Sequence, residues 1–244
     1  MDKNNINFIS DLNAKGVVGR QFMIDAPFLT DPLSLQPINY LKAPIEIVNL
    51  KSLNTISDSN KQLIYNQISS LFMLSHEAYT HYQNEFFQPK ILNSTNCNNP
   101  ILYEQYGLFT KIPIAQYQIL GFYSGIYVAS VLELEYLLTQ FDIITIGRYG
   151  NACVKDGIPV ICGHYNGNYM SVINDWRPFE WSQHKPDYLQ TLKENKQNVN
   201  SVIIQSGDYY FIAYIASCAI NENTEILTDY GDGYWEREQK IFLQ

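Results

Sequence analysis

Apolar residues at Ile64, Ile68, Leu71 and Phe72 recur at three- and four-residue spacing, and this pattern predicts a helix from Asp58 to Gln83. Ser57 or Asp58 supplies the oxygen that would cap its first turn. A second, shorter amphipathic pattern, SVLELEYLLTQF, predicts a helix over residues 130–141. Elsewhere the apolar runs are short and strand-like. Residues 1 to about 55 alternate small apolar patches with Pro27, Pro32, Pro37 and Pro44, which predicts irregular chain with short strands such as Ile45–Val48. Residues 101–128 hold two or three such runs and residues 143–175 hold more. Val199–Ile204, the turn Gln205-Ser206-Gly207-Asp208 and Tyr209–Ile215 predict a hairpin. Polar Asn93–Pro100 reads as a linker, and residues 177–198 as a polar surface insertion with a helical turn or two. No internal repeat or heptad appears.

At 244 residues, with 46% hydrophobic side chains, the chain can bury a sizeable core. Its 19 tyrosines suit half-wet clefts, where a ring packs and a hydroxyl finds a partner. A net charge of −8 disfavours nucleic acid, which needs clustered Lys and Arg, and favours basic ligands instead. The four cysteines are scattered without a Cys-x-x-Cys pair, and Cys162-Gly163-His164 is the one close Cys/His couple, too little for tetrahedral zinc. No metal is therefore expected. His76 and His81, five apart, share no helical face and read as surface or packing residues. No apolar run reaches the roughly 20 residues of a membrane span, and the polar start lacks a signal-peptide core. The expectation is an intracellular protein with reduced thiols and no membrane partner.

Four segments carry candidate chemistry. Near the end stands Thr224-Glu225-Ile226-Leu227-Thr228-Asp229-Tyr230-Gly231, with Tyr234-Trp235 just beyond. Earlier, Tyr106-Gly107-Leu108-Phe109-Thr110 leads through Ile112-Pro113 to Gly121-Phe122-Tyr123-Ser124-Gly125. Between them lies Tyr165-Asn166-Gly167-Asn168-Tyr169-Met170-Ser171-Val172-Ile173-Asn174-Asp175, and Lys196–Asn200 follows it. In this order the segments resemble the motifs of the SET-domain protein lysine methyltransferases: an opening glycine loop, an Asn-His segment and a closing E-E-L-x-x-D-Y-G. Gln105 stands where the family has its first glycine, Ser171 replaces an Arg and Asp175 replaces the His. The resemblance covers residues 104–235; the first hundred residues match no named pattern.

The resemblance implies a mainly β fold with some helix (α+β), a SET-like arrangement of small sheets in residues 101–244. Residues 1–100 would form a partly helical extension. It implies S-adenosylmethionine as cofactor, without metal, held by Tyr106, Gly107, Ser171, Asn174, Asp175, Tyr230 and Trp235. Tyr230 would be the catalytic hydroxyl with Tyr123 a second catalytic wall, and Tyr123, Thr228 and Tyr234 would line the substrate channel. Thr228, smaller than the family's aromatic there, leaves room for more than one methyl. A free lysine amine titrates near 10.4, so deprotonating it at pH 7 costs about 4–5 kcal/mol. A fixed cation and desolvation lower that pKa, while tyrosine faces attract the ammonium and their hydroxyls orient it. The implied partner is a basic protein or peptide such as a histone tail. Two other readings stay open: a non-catalytic SET-like module that binds a basic peptide, and a methyltransferase for a non-lysine side chain. Asn-, Ile- and Lys-rich usage fits an AT-rich genome, such as that of an intracellular bacterium delivering an effector into a host cell.

Overall fold

The computed structural model describes residues 29–38, 44–49, 56–97, 103–140, 150–152, 159–163, 167–176, 196–231 and 234. Most of the polar insertion (177–195) and Trp235 lie outside them. Strands β1 (Leu29–Thr30) and β2 (Ile45–Asn49) precede helices α1 (Asp58–Phe72) and α2 (His76–Phe86). Next come β3 (Phe87–Ile91), β4 (Tyr106–Thr110), β5 (Ile119–Tyr123), β6 (Gly125–Val128), α3 (Val131–Gln140), β7 (Gly150–Ala152) and β8 (Val160–Cys162). A 3-10 turn at Tyr169–Val172, β9 (Asn174–Asp175), β10 (Val199–Ser206), β11 (Tyr209–Ala216) and β12 (Leu227–Thr228) complete the order.

The helix expected over 58–83 is two helices. Ser57 caps the first, accepting from Asn60 N at 3.4 Å, and Ser75 caps the second, accepting from Ala78 N at 3.2 Å. A serine at that point offers the backbone a fresh helix start, so the chain turns after Phe72 instead of running on. Exposed His76 and His81 ride on α2, away from one another's face. The expected helix over 130–141 forms as α3. It starts on a capping box, in which Glu133 N donates to Ser130 Oγ (3.2 Å) while Glu133 Oε2 accepts from Ala129 N (2.7 Å) and Ser130 N (2.9 Å). Residues 169–172, expected within strand-like chain, instead coil into the 3-10 turn, because the Asn168 side chain accepts from Met170 N at 3.1 Å.

The sheets are small and separate: β1-β6-β8-β7, β2-β10-β11-β5, and the pairs β3-β4 and β9-β12. The predicted hairpin is the centre of the second. β10 and β11 pair antiparallel from Val199↔Ala216 to Ser206↔Tyr209, and Gly207, at φ 58°, opens the two-residue connection. Phe211 through Ala216 are all buried, so β11 is covered on both faces. Phe72 of α1 packs edge-on against Phe211 (4.9 Å between ring centres) and Phe122 (5.7 Å).

The division expected at residue 100 does not separate the sheets. β1 pairs with β6, β2 with β10 and β3 with β4, each joining a strand before that point to one after it. The presumed linker begins as an ordered turn. Asn93 Oδ1 accepts from Thr95 N (2.9 Å), Asn96 Oδ1 accepts from Asn93 N (2.8 Å), and buried Cys97 packs with Leu92 and Phe109.

The outer edge of β5 is closed by side chains. Ile119 N donates to Gln67 Oε1 (3.2 Å) and Tyr82 Oη donates to Ile119 O (2.5 Å). Further along, Phe122 N donates to Tyr79 Oη (2.7 Å) and Asn168 Nδ2 donates to Phe122 O (2.8 Å). Unpaired edge groups would otherwise be buried under α1 and α2 at a cost of about 1–3 kcal/mol each. Gly121 makes this possible: a Cβ there would meet Tyr79 Oη at 2.6 Å and Gln83 Nε2 at 2.8 Å. The strand that carries Tyr123 is thereby held rigidly.

Candidate functional site

The site begins where β9 and β12 run parallel, with Leu227 opposite Asn174 and Thr228 opposite Asp175. Two strands of two residues cannot hold themselves, so neighbouring groups fasten them. Trp176 N donates to Thr228 O (3.0 Å) on one side. On the other, buried Asn198 grips the same segment with backbone and side chain: Asn198 N to Leu227 O (3.0 Å), Leu227 N to Asn198 Oδ1 (2.9 Å) and Asn198 Nδ2 to Glu225 O (2.9 Å). The segment 225–228 is thus threaded between β9 and the start of β10.

This threading presents Tyr230. Its backbone N–H donates to the buried carboxylate of Asp175 (Oδ2, 2.6 Å), and its hydroxyl donates to Ile173 O (2.5 Å). Although 36% of the residue's surface is open, the hydroxyl end is enclosed. Burial, then the neighbouring Tyr234, Tyr214, Asp175 and Tyr123, hold this phenol well above the ordinary tyrosine value. It is protonated at any physiological pH. The ring meets Tyr234 edge-on at 4.8 Å, while Tyr123 meets Tyr214 edge-on at 6.4 Å. Four tyrosines from β5, β11 and the chain after β12 therefore gather at one point.

Tyr123 lies 6% exposed at the end of β5. Beside its hydroxyl stands Gly163: a Cβ built there would come within 2.5 Å of Tyr123 Oη and 2.8 Å of Ser171 Cβ. Ser171 is buried in the 3-10 turn and spends its hydroxyl on Asn168 O (2.7 Å). Thr228, 3% exposed, turns its hydroxyl towards Val199 O at 3.5 Å.

A second cluster joins the opening loop to the closing one. Asn174 Nδ2 donates to Tyr106 O (3.1 Å) and to Glu225 Oε1 (3.1 Å). The group that lies against the bare α-carbon of Gly107 is the Glu225 carboxylate, 2.6 Å from where a Cβ would stand. Burial raises the Glu225 pKa, and the Asn174 amide offsets part of that rise.

The structure thus brings Tyr123, Tyr230 and Tyr234 together, and separately Tyr106, Gly107 and Asn174, with Asp175 bonded to Tyr230 and Ser171 beside Tyr123. Residues that sequence reasoning did not single out are Glu225, Asn198, Tyr214 and Gly163. Glu225 lay within the closing motif, and so was findable. Tyr214 was one apolar residue in a strand with nothing local to distinguish it. Among the described residues no group of three or more His, Cys, Asp and Glu is placed to hold a metal. No described helix is long and apolar enough to cross a membrane.

Fold and site define an α+β protein of small sheets whose threaded segment 225–230 ties a tyrosine cluster to Asp175 and, separately, the Glu225 carboxylate to Asn174 and Gly107. No family model and no curated protein matches the chain. Among solved structures it is similar to ctPRC2 in an autoinhibited conformation bound to S-adenosylmethionine (TM-score 0.42, 16% identity, 65% of this chain). It is also similar to the polycomb repressive complex 2 of Chaetomium thermophilum (TM-score 0.37, 18% identity, 52% of this chain). The chain covers 16% and 14% of those chains' lengths. Likenesses this loose and this partial transfer neither activity nor substrate.

Proposed function

We propose that the chain is a SET-type, S-adenosylmethionine-dependent protein lysine methyltransferase acting on a basic protein or peptide. The observation that carries the reading is the parallel pairing of β9 with β12, which joins two motifs far apart in sequence around Tyr230. Residues 101–244 hold every motif and form the catalytic unit, and strands from the first hundred residues complete its sheets.

The donor set fits such a cofactor. Glu225 and Asp175 supply negative charge, the tyrosine rings supply faces that attract cations, and Gly107 lets the Glu225 carboxylate lie against its bare α-carbon. Asn174, Tyr106, Gly107 and Glu225 would hold its methionine end. When bound, the cofactor would supply an electrophilic methyl on a cationic sulfonium for transfer to the amine nitrogen.

The rest falls to the chain's own residues. The Tyr230 hydroxyl donates to Ile173 O and so keeps its lone pairs for an N–H of the incoming amine. Its raised pKa preserves that role across the pH range in which a lysine amine becomes neutral. Tyr123 and Tyr214 wall the approach and exclude water, which lowers the amine's own pKa. The proton leaves to solvent. Neither His76 nor His81 is required, since both lie exposed on α2. Orientation supplies most of the rate.

The test is transfer of labelled methyl to basic proteins from a mixed lysate, with mass spectrometry to locate the modified atom. Tyr230→Phe is expected to lower turnover by about 10²–10³ while leaving cofactor affinity nearly unchanged. Full activity in a folded Tyr230→Phe protein would remove the catalytic role from this residue.

A further inference from the structure

We infer that Asn168 is the positioning residue for Tyr123, fixing where that phenol stands in the tyrosine cluster; its effect on turnover rests on the methyltransferase reading above. Tyr123 is the last residue of β5, paired with Ile212 of β11, and two residues on Gly125 opens β6 in a different sheet. A side chain at such a switch is held by the sheet ladder from one side, at the end of a strand, where pairing opens most readily. Asn168 spans the switch. Its Nδ2 donates to Phe122 O (2.8 Å) and its backbone N–H donates to Ser124 Oγ (2.9 Å), so it holds both the residue before Tyr123 and the residue after it. Asn168 and Ser124 are fully buried, where water cannot replace these bonds.

The same residue places what packs beside the hydroxyl. Asn168 O accepts from Ser171 N (3.0 Å) and from Ser171 Oγ (2.7 Å). Ser171 Cβ and Tyr123 Oη both lie against Gly163, 2.8 and 2.5 Å from where a Cβ would stand there. One asparagine therefore sets the backbone on either side of Tyr123 and the wall beside its phenol. Its placement matters to the site, because Tyr123 is close enough to Tyr230 to help hold that hydroxyl's pKa up. A cap for the 3-10 turn would need only the Asn168 Oδ1, which accepts from Met170 N at 3.1 Å. The Nδ2 arm to Phe122 and the contact with Ser124 lie outside the turn and serve the strand.

Asn168→Ser separates the two roles, because serine caps a turn as well as asparagine does but cannot reach Phe122 O. Ser124→Ala removes the other arm and leaves the Asn168 side chain in place. The first readout needs no activity: 3-fluorotyrosine is placed at position 123 of the full chain, and at exposed Tyr65 on α1 as a control, and its fluorine resonance is recorded. Both variants are expected to shift or broaden the resonance at 123 and to leave that at 65 unchanged. The second readout is methyl transfer to core histones. Asn168→Ser is expected to lower kcat about 10- to 100-fold, the cost of misplacing a reacting geometry by about an ångström, with the affinity for S-adenosylhomocysteine unchanged. In a Tyr123→Phe background the same substitution should change kcat by no more than about twofold, since the hydroxyl it positions is gone. An unmoved fluorine resonance at 123 overturns the assignment, and so does an equal fall in kcat in both backgrounds. If the wild type transfers no methyl, the methyltransferase reading loses its support, and the fluorine resonance alone decides whether Asn168 places Tyr123.

Discussion

Removing one oxygen from Tyr79 is expected to cost more than its size suggests. The side chain is 2% exposed, and its hydroxyl accepts from Phe122 N at 2.7 Å and from Gln83 Nε2 at 2.9 Å. Tyr79→Phe leaves both donors buried without this acceptor. Phe122 sits on the outer edge of β5, where among the described residues no further strand stands beyond it in the sheet order. Gln83 is fully buried and its Oε1 already lacks a partner, so its whole amide would be stranded. An orphaned buried donor costs about 1–3 kcal/mol, against a small gain from burying phenyl instead of phenol, for a net loss of about 2–4 kcal/mol. Tyr82→Phe is the internal control. It removes the hydroxyl's bond to Ile119 O and its contact with the Gln118 side chain from a half-buried residue where water can substitute, at about 0.5–1.5 kcal/mol. Urea unfolding reads both as shifts of midpoint at unchanged slope. Adding Gln83→Leu to Tyr79→Phe removes the stranded amide, so the double variant should be more stable than the sum of singles by at least about 0.5 kcal/mol. A Tyr79→Phe protein as stable as wild type, or more stable than Tyr82→Phe, would show that these bonds do not seal the strand edge.

Glu225→Gln is expected to stabilise the unliganded protein at neutral pH. The folded pKa of Glu225 is raised above its ordinary 4.5, so its stability contribution is fullest below that value and is lost as pH rises through the folded one. The variant should therefore melt higher than wild type at pH 7 and lose that advantage as pH falls below 4.5; an advantage that grows in acid would contradict the sign. Asn198→Ala removes two side-chain bonds that fasten residues 225–228, and should cost about 2–4 kcal/mol, with faster amide exchange at Leu227 before global unfolding. Thr228→Phe adds most of a ring at a position 3% exposed and should cost about 1–3 kcal/mol, measured by denaturant unfolding. If the protein transfers more than one methyl, the same variant should shift products towards monomethyl by mass spectrometry.

Local signals in the sequence determined local structure, because the physics behind them acts within a few residues. Helix periodicity set α1 and α3, the turn at Gly207 set the central hairpin, and Ser57 and Ser130 set helix starts. Ser75 carried the same capping signal as Ser57, yet it fell in step with the helical spacing of Ile64, Ile68, Leu71 and Phe72, so the break into α1 and α2 was legible only from hydrogen bonds. The order of the four motifs pointed to Tyr230, Asn174 and Gly107, but could not say what lies between them. Tertiary structure decided that Glu225 lies on Gly107 and that Tyr214 joins Tyr123. It also threaded the short strand 227–228 between β9 and Asn198. Each of these pairings joins residues distant in sequence, and the local pattern of neither partner encodes the other. Their register is set by buried partners on other segments, and chain closure makes that information available only once the whole core has assembled.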